Sequence, residues 1–147
     1  MFRPDDYTIL IVDDEQGIRE MLVRHLEEEG YQVISAASGV DALSQINAQH
    51  PDLVLLDAMM PGFVDGFDVL AATRDLTSLS RTPVMLVTAV ADARRVAAAI
   101  ELGVVDYIVK PFKLRDITAR VRRFLYNKAP KFRQPGSPTV QSGERVK

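Results

Sequence analysis

Leu53-Val54-Leu55-Leu56-Asp57 decides how the rest of the chain reads: four aliphatic residues with no polar alternation, closed by a carboxylate. A run this short and this apolar fits a strand buried on both faces, at the centre of a parallel sheet. The flanking sequence supplies the rest of such a sheet. Upstream, Tyr7 to Val12 forms a first strand that meets Asp13-Asp14-Glu15. Ile18, Met21, Leu22 and Leu26 then recur at helical spacing until Gly30 ends the helix. Tyr31 to Ser35 reads as a second strand, and Asp41 to Asn47 as a short helix with Leu43 and Ile46 inward, ended ahead of Pro51.

Downstream of Asp57, a loop over 58–66 leads to a helix that starts at Phe67 and turns Val69, Leu70 and Thr73 inward. Pro83 to Thr88 is a fourth strand. Asp92 to Leu102 is an alanine-rich helix stopped by Gly103, and Val104 to Val109 is a fifth strand broken by Lys110-Pro111. Leu114, Ile117, Val121 and Leu125 line one face of a last helix. Five β/α units in succession predict an α/β fold, a parallel sheet covered by helices with right-handed crossovers. Residues 1–127 make one domain. From 128 to 147 the composition turns to Pro, Gly and Ser without apolar period, as expected of a linker or disordered tail.

Composition narrows the function. The 147 residues are 47% hydrophobic and 26% charged, the balance of a globular domain. No apolar run approaches the ~20 residues that span a bilayer, and the N-terminus lacks the pattern of a secretory signal, so a cytoplasmic location is expected. The absence of cysteine excludes disulfides, thiolate metal sites and a cysteine nucleophile. His25 and His50 read as a helix-surface and a turn residue, which leaves no imidazole zinc site. The net charge of −2 hides an asymmetry: residues 1–112 hold 18 acidic and 8 basic side chains, and residues 113–147 hold 2 and 10. A nucleic-acid contact and a solvated last helix with its linker both fit the basic end, and the second is favoured.

In a parallel α/β sheet, loops leaving the carboxyl ends of the strands meet along one edge, where ligands bind. Asp13 and Asp14 follow the first strand, Asp57 the third, Thr88 ends the fourth and Lys110 follows the fifth. Three carboxylates brought together repel one another unless a cation joins them. Magnesium suits such oxygen ligands and keeps places for phosphate oxygens. A carboxylate held there can attack a phosphoryl group, with Lys110 and Thr88 meeting the charge that spreads over the phosphoryl oxygens. Neither GxxxxGK[ST] nor GxGxxG occurs, so the donor need not be a nucleotide.

Four motifs now resemble one family: ILIVDDE at 9–15, LVLLDAMMPG at 53–62, VMLVTA at 84–89 and DYIVKPF at 106–112. In this order and spacing they are similar to the receiver domain of two-component response regulators, across roughly residues 7–127. The resemblance implies a doubly wound, flavodoxin-like sheet of five parallel strands, order 2-1-3-4-5, flanked by five helices. It implies that Asp57 is the phosphoacceptor and that Asp13, Asp14, Asp57 and the backbone carbonyl of Met59 hold Mg2+, with Asp14 favoured over Asp13 as direct ligand. Thr88 and Lys110 match the pair that grips the phosphoryl oxygens, and Thr88 with Tyr107 the switch pair. The implied activity is a signalling switch and not an enzyme acting on a separate substrate, since it catalyses only its own phosphorylation and dephosphorylation.

The implied partners are a sensor histidine kinase or phosphotransfer protein, a second copy bound through the fourth helix, fifth strand and fifth helix, and a C-terminal output domain absent from this chain. No membrane is expected, and the receiver itself is not expected to bind nucleic acid. Two departures from the family pattern stand out. Met60-Pro61-Gly62-Phe63-Val64-Asp65-Gly66 carries one residue more than the usual MPxxDG loop, and Met59 and Val90 are apolar where polar side chains often stand. Apolar side chains there cannot orient water, so a long-lived phosphoaspartate is expected. Two rivals share part of the pattern: a Mg2+-dependent phosphohydrolase, which would carry a second acid at position 59, and a flavodoxin-like cofactor binder, whose first loop would be rich in Ser, Thr and Gly.

Overall fold

The computed structural model describes residues 1–75, 82–89 and 92–131. Its elements are β1 (Thr8–Val12), α1 (Gln16–Glu28), β2 (Gln32–Ala36), α2 (Gly39–Gln49), β3 (Leu53–Leu56), α3 (Gly66–Asp75), β4 (Val84–Thr88), α4 (Ala93–Glu101), β5 (Asp106–Val109) and α5 (Leu114–Tyr126). The five strands form one parallel sheet in the order β2-β1-β3-β4-β5, as the family resemblance implied.

The strands alternate within their apolar runs, so each run serves both faces. Ile9, Ile11, Leu53, Leu55, Met85 and Val87 pack against Leu22 and Leu26 of α1 and Ile117, Val121 and Leu125 of α5. Leu10, Val12, Val54, Leu56, Val84 and Leu86 face the other way, against Ala42 and Ile46 of α2, Val69 and Leu70 of α3 and Ala99 of α4. Every residue of β3 is buried on one face or the other, and that is why its sequence shows no polar alternation. Each large aliphatic side chain so buried stabilises the fold by roughly 2 kcal/mol.

Several boundaries differ from the sequence reading. Helix α2 begins at Gly39 because the Ser38 hydroxyl accepts from the Asp41 amide at 3.1 Å, and it runs to Gln49 before His50 closes it in a left-handed conformation, φ 48°. Tyr31 precedes β2, which continues to Ala36. Helix α4 takes Asp92 as its N-cap rather than its first residue, with the carboxylate accepting from the Arg94 amide at 2.9 Å. Strand β5 begins two residues late, since Val104 turns into the core beneath α4 while Val105 is exposed. His25 reaches from α1 to the Thr118 hydroxyl on α5, 2.5 Å away.

The enlarged loop after β3 is absorbed locally. Gly62 takes φ 108°, the adjoining Phe63 is fully exposed, and Asp65 and Asp68 cap the start of α3 by accepting each other's amides at 3.0 Å. Residues 128–131, beyond the expected boundary of the domain, lie against the sheet: the Tyr7 hydroxyl donates to the Lys128 carbonyl, and Lys128 and Lys131 both reach Asp52. Residues 132–147 of the expected tail lie outside the described residues, as does Val90.

Candidate phosphoryl-transfer site

The ladder of the sheet carries the site residues one step past their strands. The Asp57 amide donates to the Val12 carbonyl at 2.9 Å, and the Asp13 amide to the Ala36 carbonyl at 3.2 Å. The Lys110 amide donates to the Thr88 carbonyl at 2.9 Å, ahead of a cis Lys110–Pro111 bond. Backbone pairing therefore sets where each side chain leaves the carboxyl edge.

Three carboxylates meet there. Asp13, Asp14 and Asp57 each bring an oxygen to within 4.8 Å of the others, with Asp13 and Asp57 buried and Asp14 exposed. Lys110 lies between the two buried ones, its Nζ 2.8 Å from Asp13 Oδ2 and 3.2 Å from Asp57 Oδ2, with Glu15 at 3.5 Å. The second oxygen of each buried acid accepts a backbone amide: Glu15 N–H on Asp13 Oδ1 at 2.9 Å, Met59 N–H on Asp57 Oδ1 at 3.0 Å. Burial pushes the Asp13 carboxyl up, against the opposing pull of Lys110. Burial also pushes the Lys110 ammonium down, but its hydrogen bonds and attraction to Asp13 and Asp57 outweigh that and hold it above the ordinary lysine value.

One ammonium for three clustered carboxylates leaves net negative charge in a partly buried setting, which favours a further cation. The donor set consists of oxygen alone, so a hard cation such as magnesium fits it and a soft one does not. Met59, the fourth expected ligand through its carbonyl, lies beside the cluster with its amide on Asp57, and the residue is 47% exposed.

Thr88 ends β4 fully buried, and Tyr107 is half-buried on β5 against the core beneath α4. Tyr107 is in register with Leu86, two residues before Thr88, so the two switch candidates share a face of the sheet. Burial raises the Tyr107 hydroxyl, Arg95 lowers it and Asp92 raises it.

Four contributors escaped the sequence reading. Arg19 on α1 donates to the Asp13 carbonyl at 2.8 Å and steadies the first loop. Gly66 packs so closely that a Cβ would strike the Asp57 carbonyl and the Ala58 Cα, and Gly39 is pressed in the same way by the Val64 carbonyl. Glu15 adds a fourth acid near Lys110. Two of them stood in stretches with a signal but were given no role there: Gly66 in a turn-forming dipeptide and Glu15 beside Asp13 and Asp14.

Comparison with known proteins agrees with this fold. The family model described as response regulator receiver domain matches residues 9–122. The probable transcriptional regulator ycf27 of Porphyridium aerugineum is 44% identical over 117 residues, which are 80% of this chain and 47% of that protein. The DNA-binding response regulator MtrA of Mycobacterium leprae is 42% identical over 114 residues, 78% of this chain and 49% of that one. The chain thus spans about half the length of the relatives it matches. Among solved structures, a putative response regulator from Chloroflexus aurantiacus superposes with a TM-score of 0.75 at 36% identity, covering 82% of this chain and 98% of that one. A CheY-like receiver domain protein from Methanospirillum hungatei gives 0.76 at 29% identity, covering 82% and 94%.

Proposed function

The chain belongs to the response regulator receiver domain family, and on that premise we propose that Asp57 takes the phosphoryl group in a phosphorylation-driven switch. The observation that carries the reading is the placement of Asp57 itself: buried, fixed through both oxygens by Met59 N–H and Lys110, and flanked by Asp13 and Asp14. Membership of the family favours this reading over the phosphohydrolase and the flavodoxin-like binder.

Asp13, Asp14, Asp57 and the Met59 carbonyl would hold the magnesium ion, which when bound supplies positive charge against the phosphoryl oxygens. An Asp57 oxygen bonds to the phosphorus of a partner's phosphohistidine as the phosphorus–nitrogen bond breaks, and the imidazole leaves with the electron pair. The Lys110 ammonium then turns from the Asp57 carboxylate to a phosphoryl oxygen, while the Thr88 hydroxyl donates to another. Tyr107, on the same face of the sheet, follows Thr88. The surface of α4, β5 and α5 is thereby biased between two arrangements, which alters its affinity for a partner.

The phosphoryl donor is a sensor histidine kinase or a phosphotransfer protein. By likeness to relatives named as transcriptional and DNA-binding regulators, the controlled partner is an output domain that regulates transcription, or a second copy of this chain. Nucleic acid would be met by that output domain rather than by the receiver. A cytoplasmic location goes with this role, and no helix among the described residues is long and apolar enough to cross a membrane. Incubation with magnesium and acetyl phosphate, read by intact mass, is the test. One added phosphoryl group, lost in Asp57→Asn, supports the reading, and no addition to the native chain overturns it.

A further inference from the structure

Arg95 touches the loop that follows Asp57 near both of its ends, at Met59 and at Phe67. It sits in the first turn of α4, exposed, behind the Asp92 cap. Its Nη1 donates to Met59 Sδ at 3.2 Å, and its guanidinium carbon lies 5.2 Å from the centroid of the Phe67 ring. The Met59 amide holds Asp57 Oδ1, and Phe67 follows the glycine that packs against the Asp57 carbonyl. A single side chain therefore reaches from α4 to both ends of the loop that follows the acceptor.

The chemistry at risk there is loss of the phosphoryl group. In hydrolysis, a water oxygen bonds to phosphorus and the bond from phosphorus to the Asp57 oxygen breaks. The carboxylate returns, and inorganic phosphate leaves with the proton. That step needs water at the open side of the site. Neither Met59 nor a guanidinium, which stays protonated throughout the working pH range, can act as a base for it.

We propose that Arg95 is a positioning residue that clasps Met59 and Phe67 over the mouth of the site, slowing hydrolysis of the phosphoaspartate while its charge draws anionic phosphodonors in. The clasp uses the planar face and length of the side chain, and the capture uses its charge, so substitutions separate the two. The inference rests on Asp57 being the acceptor.

The test loads the chain with acetyl phosphate and magnesium, removes the donor, and follows uptake and decay by intact mass. Arg95→Ala is expected to speed decay about threefold, the scale of one exposed cation–π contact. Arg95→Met, long and apolar, should decay nearly as slowly as the native chain but load more slowly. Arg95→Lys should load at nearly the native rate and decay faster. All three are surface substitutions and should keep the native melting transition. Should Arg95→Ala melt early, the Met and Lys variants decide. Native decay in Arg95→Ala, or equally fast decay in Arg95→Met, overturns the clasp. A native chain that takes up no phosphoryl group overturns the reading beneath it and the clasp together.

Discussion

Strand β3 has a buried aspartate at each end, and the two stand in different surroundings. Asp52, just before the strand, accepts from the Thr8 amide at 2.9 Å on one oxygen, and from the Lys131 amide at 2.7 Å and Lys128 Nζ at 3.2 Å on the other. Asp57, just after it, accepts one amide and one ammonium, and shares that ammonium with Asp13 while Asp14 crowds in. At the amino edge the donors are sufficient and belong to the fold. At the carboxyl edge carboxylates outnumber the cations that pair them. A buried acid surrounded by donors is a structural tie, whereas one surrounded by other acids calls for a ligand.

The contrast can be broken from the amino side. Asp52→Ala strips the acceptor from two backbone amides and a lysine, and is expected to cost about 3 kcal/mol in chemical denaturation. Phosphoryl uptake per folded molecule should be unchanged. A variant that is stable but fails to load would mean that the two edges are not separable.

Magnesium sharpens the contrast from the other side. At about 100 times its dissociation constant, an ion bound only to the folded state adds about 2.7 kcal/mol. Melting of the native chain should therefore shift upward with magnesium. The shift should be much reduced in Asp14→Asn and Asp57→Asn, but preserved in Asp52→Ala.

The smallest effect concerns the amino edge in alkali. Burial pushes the Tyr31 hydroxyl up to about 12 from an ordinary 10.0. Between those values the unfolded chain releases this proton and the folded chain keeps it, so the folded state binds more protons and stability falls as pH rises. By pH 12 the loss approaches about 2 kcal/mol, and Tyr31→Phe should flatten that limb of a pH–stability curve.

Much of this arrangement was legible in the sequence because strand periodicity and strand-end residues are local signals. The run from Leu53 to Leu56 announced a central strand, and Asp13, Asp57, Thr88 and Lys110 all emerge at the edge where their strands end. The order of the strands came from the family resemblance, since hydrophobic period does not encode neighbours. What stayed hidden depends on distance in space. Nothing near Arg95 in the chain points to Met59 or Phe67, nothing near Lys128 points to Asp52, and the Ser38 cap was overlooked although its side chain carried the signal.

The central claim is that Asp57, and not the equally buried Asp52, carries the chemistry. Its most direct test is to load native chain, Asp57→Asn and Asp52→Asn with acetyl phosphate and magnesium and to compare intact masses. One phosphoryl group on the native chain and on Asp52→Asn, with none on Asp57→Asn, is the expected result. Undiminished uptake by Asp57→Asn would contradict the account.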